Sequence, residues 1–398
     1  MRNHEDCTGC GACVQICPDG FCHFTIDNHG FFYPTNEGCS KTANCHLCDD
    51  VCPQTPLQKS KQSIVIACRA KNEKIILNGS SSGAVFQVLA TYILNHNGVV
   101  FGAVLNKNFT VVHQFAKTIH ELQDILGSKY VQSDISLTYK QAREFIRNGT
   151  LVLFTGTPCQ IVGLKSFLGE KLANNTNLIS VDLICHGVAS PGIWTDYITE
   201  QKNNEKSLGK MLNVTFRYKD YKMKNEYNLK FVFHNKSYIR NASKDDFYQQ
   251  FFKHYILRPS CYHCEYRGLN RSWADLSLGD FPAPDLMIPE IFSPYGTSLV
   301  LSHGDKGTDY FNKIGNSLIY KEIDDGIINN ILEINSAIVS SHKKPNNYEK
   351  FWNEYDNRGY NASRVIAVSN ARLKKNKVLS LIKKLVKFCL GIRVSRRK

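Results

Sequence analysis

Cys7-Thr8-Gly9-Cys10-Gly11-Ala12-Cys13-Val14-Gln15-Ile16-Cys17-Pro18 decides how the first domain is read. The spacing C-x2-C-x2-C-x3-C-P is a thiolate run that holds iron–sulfur cubes. Three thiolates on a short loop reach three irons of one cube, while the fourth, before the proline, points to a neighbouring one. Gly9 and Gly11 let the loop bend and bring backbone N–H groups toward the cluster sulfurs. A second arm follows as Cys39-x5-Cys45-x2-Cys48-x3-Cys52-Pro53, with a first gap of five residues where the standard run has two. The expected sets are Cys7, Cys10, Cys13 and Cys52 for one [4Fe–4S] cluster, and Cys17, Cys39, Cys45 and Cys48 for the other. Cys22 is a spare thiol able to replace Cys39. Zinc also takes four-cysteine sets, but two C-x2-C-x3-C-P arms are specific to iron–sulfur chemistry.

Between the arms, Phe21 to Tyr33 reads as a hairpin around Asp27-Asn28-His29-Gly30. Together these features predict an α+β, ferredoxin-like dicluster domain over 1–57. A polar linker, Gln58 to Gln62, separates it from the rest of the chain. Fifteen cysteines in 398 residues, nine of them between Cys7 and Cys52, point to metal or redox chemistry before disulfides. Met1 to Asp6 carries no apolar signal region, and no apolar run reaches the roughly 18–20 residues of a membrane span, so a cytoplasmic protein is expected.

Over 63–345 the segments alternate in type, predicting a larger α/β domain. Ser63–Ala67, Gly98–Leu105, Leu151–Phe154 and Leu178–Ile184 read as strands, and Ser81–Asn95 and Thr138–Arg147 as amphipathic helices. Leu212–Asn241 reads as a β-rich insert. Cys159, Cys185, Cys261 and Cys264 fall at turns and loops. Because the C-terminal ends of strands converge on the ligand crevice of such sheets, these four are the expected ligands of a third [4Fe–4S] cluster or of a zinc ion. Cys68 and Cys389 read as small buried hydrophobes. Asn78-Gly-Ser-Ser-Ser-Gly-Ala84, opening a helix, suits the anionic group of a dinucleotide. There is neither a G-x-G-x-x-G nor a G-x-x-x-x-G-K-[ST] motif.

With the double cysteine arm, Gly79-Ser-Ser-Ser-Gly83, Ser128-Lys-Tyr-Val-Gln-Ser133, Phe154-Thr-Gly-Thr-Pro-Cys-Gln160, Cys185-His-Gly187, Cys261-x2-Cys264 and Asp275-Leu-Ser-Leu-Gly-Asp280, the chain resembles the coenzyme F420 hydrogenase/dehydrogenase beta-subunit family, over roughly 1–345. The resemblance implies FAD in the α/β body, wired to the iron–sulfur clusters, and an oxidoreductase exchanging hydride or electrons with a second substrate. It places Gly79, Ser80, Ser81, Ser82, Gly83, Lys129 and Tyr130 beside the flavin. Lys129 is then the candidate for stabilising anionic reduced flavin. His186 reads as a turn cap, with a proton relay as the alternative, and Asp275 and Asp280 as orienting or turn residues. The implied donors are reduced F420, ferredoxin or NAD(P)H. The resemblance reaches members associated with bacterial surface-polysaccharide biosynthesis, so a glycan substrate or glycan-modifying partner is implied; a non-catalytic electron-transfer subunit is the competing class.

The net charge is +14, but eleven basic and no acidic residues lie in 371–398, leaving +3 for the preceding 370. A nucleic-acid partner is therefore not expected of the body. The segment 346–398 reads as a helical basic tail. Val378, Ile382, Leu385 and Cys389 recur at helical spacing, predicting peripheral contact with an anionic membrane at its inner face or docking on the body.

Overall fold

The turn predicted at Asp27–Gly30 is built by one carboxylate: Asp27 Oδ1 accepts from the N–H of His29 at 3.0 Å and of Phe31 at 2.8 Å. Gly30 completes it at φ 83°, a left-handed conformation that only glycine adopts freely. The hairpin so closed pairs β1 (His23–Ile26) with β2 (Phe32–Thr35). The computed structural model describes residues 3–37, 39, 45–53, 63–223, 226–271 and 273–369. The linker Gln58–Gln62 and the basic stretch 371–398, with the expectations attached to them, lie outside these.

The body contains β3 (Ile64–Ala70), β4 (Val99–Leu105), β5 (Val111–Ala116), β6 (Val152–Gly156), β7 (Leu178–Leu183), β8 (Met211–Thr215), β9 (Asn228–Phe233), β10 (Ser237–Asn241), β11 (Leu276–Asp280), β12 (Ser298–Ser302) and β13 (Leu318–Glu322). One eight-stranded sheet runs β13-β3-β12-β11-β7-β6-β4-β5. Its centre, β4, β6, β7 and β11, is parallel, and both flanks are antiparallel. Side chains alternate across it with period two. On β6, Val152 and Phe154 join a core with Tyr139 and Ile161, while Leu153 joins the opposite core with Val85, Leu89 and Phe311. The insert is a three-stranded sheet, β10-β9-β8, one strand more than a simple hairpin.

Helix Thr138–Arg147 has the predicted bounds, whereas the helix predicted from Ser81 begins at Val85. Ala84 is left-handed at φ 70°, and Gly83 is pressed against the sheet: a Cβ there would stand 2.5 Å from the Cys68 carbonyl. Helix Pro158–Ala173 starts where Thr157 and Gln160 form a capping box with Pro158 in the first turn.

The cysteine-rich module is seated on this body by specific contacts. Gln15 Oε1 accepts from the N–H of Tyr139 and Lys140 at 3.0 and 3.2 Å, satisfying the open end of that helix. The buried Arg258 donates to the carbonyls of Cys7 and Phe32 at 2.8 and 2.9 Å. Tyr348, Phe351, Trp352 and Tyr360 are buried in the core around the insert, so residues 348–369 pack as part of the body rather than as a free tail. Among the described residues, no helix is long and apolar enough to cross a membrane.

Candidate redox site

Cys7, Cys10, Cys13 and Cys52 line one small cavity with Phe24, Pro34 and Tyr266, as the first ligand set requires. Helix Pro158–Ala173 comes close behind it, because position 163 is glycine: a Cβ there would lie 2.8 Å from Cys10 Sγ. Burial, with the neighbouring Cys7 and Cys52 adding, pushes the Cys10 thiol up to about 11. In the second group, Cys48 has Cys22, Cys17 and Cys45 as its thiol neighbours, and Cys22 N–H donates to Cys17 Sγ at 3.4 Å. The fourth thiol at this place is Cys22, which is buried. Cys39 is half-buried, with its N–H on the Asn36 carbonyl. Cys22 also hydrogen-bonds Cys13, which holds its own thiol down at about 7.

The four body cysteines, far apart in sequence, converge. Cys159 has Cys264, Cys185 and Cys261 as electrostatic neighbours. It stands in the first turn of a helix rather than in a loop, and Thr157 Oγ1 lies 3.1 Å from its sulfur. Cys185 follows β7, and Cys261 and Cys264 lie in and after a short 3-10 turn. Burial, reinforced by the neighbouring thiols, pushes Cys185 up to about 11 and Cys261 up to about 12. Crowded and desolvated, Cys159, Cys185 and Cys261 resist deprotonation on their own, and a bound cationic centre reverses that balance.

A cavity of about 450 Å³ opens at the C-terminal ends of β6, β7 and β11, within the size range of small-molecule sites. Leu126, Tyr130, Phe251 and Leu278 give it apolar walls. Its polar end is a network that the sequence did not disclose. Arg217, buried, donates to Asp280 Oδ2 at 2.6 Å and to the Ser81 carbonyl at 2.9 Å, and its guanidinium lies 4.0 Å from the Tyr227 ring. Lys219 donates to the carbonyls of Ser82 and Tyr295. Both cations come from the β-rich insert. His113 closes the inner wall: its Nε2–H donates to the Thr155 carbonyl at 3.1 Å, its Nδ1 accepts from Ser133 Oγ at 2.9 Å, and burial lowers it to about 4.

Of the residues expected around a flavin, Ser80, Ser81, Ser82, Lys129 and Tyr130 line this cavity, whereas Gly79 and Gly83 serve the loop turn and its seat on the sheet. The serine hydroxyls are largely turned inward: Ser81 Oγ accepts from Ser128 N–H at 2.7 Å, and Ser82 Oγ donates to the Thr297 carbonyl at 2.9 Å. Those two hydroxyls are thus spent on protein partners rather than left free for an anion. Lys129 Nζ donates to the carbonyls of Asp124, Ile125 and Leu126 at 2.8, 2.9 and 2.8 Å, so its three N–H groups cap the C-terminus of helix Ile119–Ile125. Burial lowers its pKa to about 7. His186 lines the cavity, and burial, with His342 and His254 nearby, lowers it to about 2. Asp275 lies outside the cavity and accepts from Ser180 N–H and Oγ, both at 2.7 Å.

Residues 149–325 match the family model for the C terminus of the coenzyme F420 hydrogenase/dehydrogenase beta subunit, and residues 1–22 match that of a 4Fe-4S binding domain. Residues 149–325 carry the beta-subunit family's C-terminal domain. The matched span holds all four body cysteines, Arg217, Lys219 and Asp280, and leaves out the Gly79–Gly83 loop and Lys129. An uncharacterized protein of Methanocaldococcus jannaschii is 26% identical over 194 residues, 41% of this chain and 53% of that protein. The chain therefore spans about half the length of the curated relative it matches. A chain of the F420-reducing [NiFe] hydrogenase complex from Methanosarcina barkeri superimposes with a TM-score of 0.46 and 16% identity, over 76% of this chain and 95% of that one.

Proposed function

We propose that the protein is an iron–sulfur flavoprotein oxidoreductase. Cys7, Cys10, Cys13 and Cys52 would hold one [4Fe–4S] cluster, Cys17, Cys45 and Cys48 with Cys22 a second, and Cys159, Cys185, Cys261 and Cys264 a third. FAD would occupy the cavity. The observation that carries this reading is the double position of Cys185: it lines the cavity and belongs to the four-thiol set. When bound, FAD supplies exchange of an electron pair as hydride with a substrate and of single electrons with iron–sulfur centres.

The residues present fit that group. Arg217 and Lys129 bring two basic side chains to the wall against the single carboxylate of Asp280, a balance that favours an anionic ligand. Asp280 holds the Arg217 guanidinium in place, and Tyr130, Phe251 and Leu278 exclude water from the apolar part. From Cys264, the same packed core runs through Tyr266 and Trp273 to Cys10 and Cys13, which makes the body thiols and the N-terminal module neighbours. A partner subunit or a soluble donor would then meet the second cluster, and a sugar or lipid-linked glycan is the substrate class implied by the resemblance.

The test is anaerobic purification with FAD reconstitution, followed by a screen of reduced F420, NADH, NADPH and reduced ferredoxin for bleaching of the flavin. Stoichiometric FAD reduced by one of these supports the reading. Failure to retain FAD overturns it, and FAD retention without turnover of any small molecule moves the protein to the electron-transfer class.

A further inference from the structure

Three histidines from distant parts of the chain meet beside the cavity, one of them, His186, in its wall. His186 follows Cys185 after β7; His254 lies just beyond helix Asp246–Phe252, at φ 65°; His342 precedes helix Tyr348–Arg358. One nitrogen from each falls within 4.8 Å of the others. The ring centroids are 4.1 Å apart for His186 and His342, 3.9 Å for His254 and His342, and 5.0 Å for His186 and His254.

We propose that His186, His254 and His342 form a binding site for one divalent transition ion, zinc by preference. Two features distinguish the cluster from a packed aromatic stack. Nε2 of His186 and Nε2 of His342 are both buried without a hydrogen-bond partner among the described residues, a state that is costly for a polar atom unless something else occupies its lone pair. A backbone carbonyl faces each ring, that of Phe251 for His186 and that of His186 for His342. A ring that gives its N–H to a carbonyl presents its second nitrogen as a lone pair, the arrangement that orients metal-ligating histidines.

Three imidazoles without carboxylate or thiolate select zinc, ferrous iron, nickel or copper over magnesium or calcium. Three protein ligands leave a fourth position open for water or another ligand. Arg267, which donates to the Cys185 carbonyl at 3.0 Å and the His186 carbonyl at 3.2 Å, places a positive charge nearby that opposes a cation. Its N–H groups are spent on carbonyls, and neutral imidazoles bind through lone pairs rather than net charge, so affinity is reduced without the site being closed.

The test uses the full chain with its iron, loaded anaerobically with one equivalent of zinc sulfate, desalted, and analysed by metal content and zinc K-edge absorption. The expected result is one zinc per chain with a nitrogen shell at about 2.0–2.1 Å and imidazole scattering. His342→Gln and His254→Asn should each lower retained zinc at least tenfold while iron and sulfide stay at parental values. Zinc that washes out, a sulfur shell near about 2.3 Å, or equal retention in the variants overturns the proposal. Loss of iron in both histidine variants also overturns it, since the rings would then hold the fold rather than a metal. Flavin content that fails to appear in the parent bears on the redox reading alone, and where iron–sulfur content fails, the comparison of parent with the two histidine variants, whose thiols are unchanged, still decides the zinc.

Discussion

Tyr266 Oη donates to the carbonyl of Pro53 at 3.3 Å, so the residue two beyond Cys264 touches the residue next to Cys52. The same ring lines the cavity of the first thiol set. Tyr266→Phe should keep iron content and lose only about 1 kcal/mol with the hydrogen bond. Tyr266→Ala should cost about 3–5 kcal/mol by leaving a void, and should open the first thiol set to solvent. Iron release during timed air exposure checks this; equal release from parent and Tyr266→Ala would refute it.

The placement of Cys22 beside Cys17 and Cys48 yields a comparison of two single variants. Cys22→Ser is expected to lower bound iron by about four atoms, one cube, whereas Cys39→Ser keeps it. Iron and sulfide analysis with low-temperature EPR decides between them, and the reverse pattern would restore Cys39 to the second set.

Gly163 lies inside helix Pro158–Ala173, where a change to alanine ordinarily adds about 1 kcal/mol of stability. Here the sign should reverse, because the new Cβ would stand 2.8 Å from Cys10 Cβ and Sγ and 3.2 Å from Tyr139 Oη. Gly163→Ala should destabilise by about 1–3 kcal/mol and reduce iron in the N-terminal module. Thermal unfolding of the anaerobic protein measures it, and a raised midpoint would contradict the close approach.

Burial, with Arg217 adding, holds Lys219 at about 7. Between that value and the ordinary lysine range, the unfolded chain binds a proton that the folded chain lacks, so this group makes stability rise with pH above about 7. Lys219→Met removes that dependence. From pH 6.5 to 9, the stability of the parent relative to the variant should increase on the order of 2 kcal/mol, with the carbonyls of Ser82 and Tyr295 restraining the shift. Parallel denaturation curves at the two pH values would show that the ammonium stays charged.

Spacing along the chain is a sound guide wherever the chemistry is local. The first cysteine arm, the Asp27–Gly30 turn and helix Thr138–Arg147 each depend on residues within a dozen positions of one another, and each stands as read. Of the body cysteines, Cys185 is placed by a strand end and Cys261 and Cys264 by a short turn, whereas Cys159 opens a helix just after β6. Other features depend on pairings across the fold. Nothing near Arg217 in sequence announces Asp280 or Ser81, and the histidines at 186, 254 and 342 carry no spacing at all. The role of Lys129 is hidden because its partners are three carbonyls, which leave no trace in side-chain patterns. Helix periodicity extends too far back at Ser81 because the left-handed Ala84 interrupts the backbone without interrupting the apolar pattern.

Strand β3 lies between β12 and β13, and it pairs with nothing that precedes it in the chain. Roughly 230 residues separate Ala70 from Ser298, so at about 5–20 residues per second a growing chain holds Ile64–Ala70 without a partner for about 10–45 s. Six of those seven residues are apolar or small, and both edges of the strand are open meanwhile, which is the condition under which chains join each other. Folding without association therefore requires that this strand stay shielded until its two late neighbours are made.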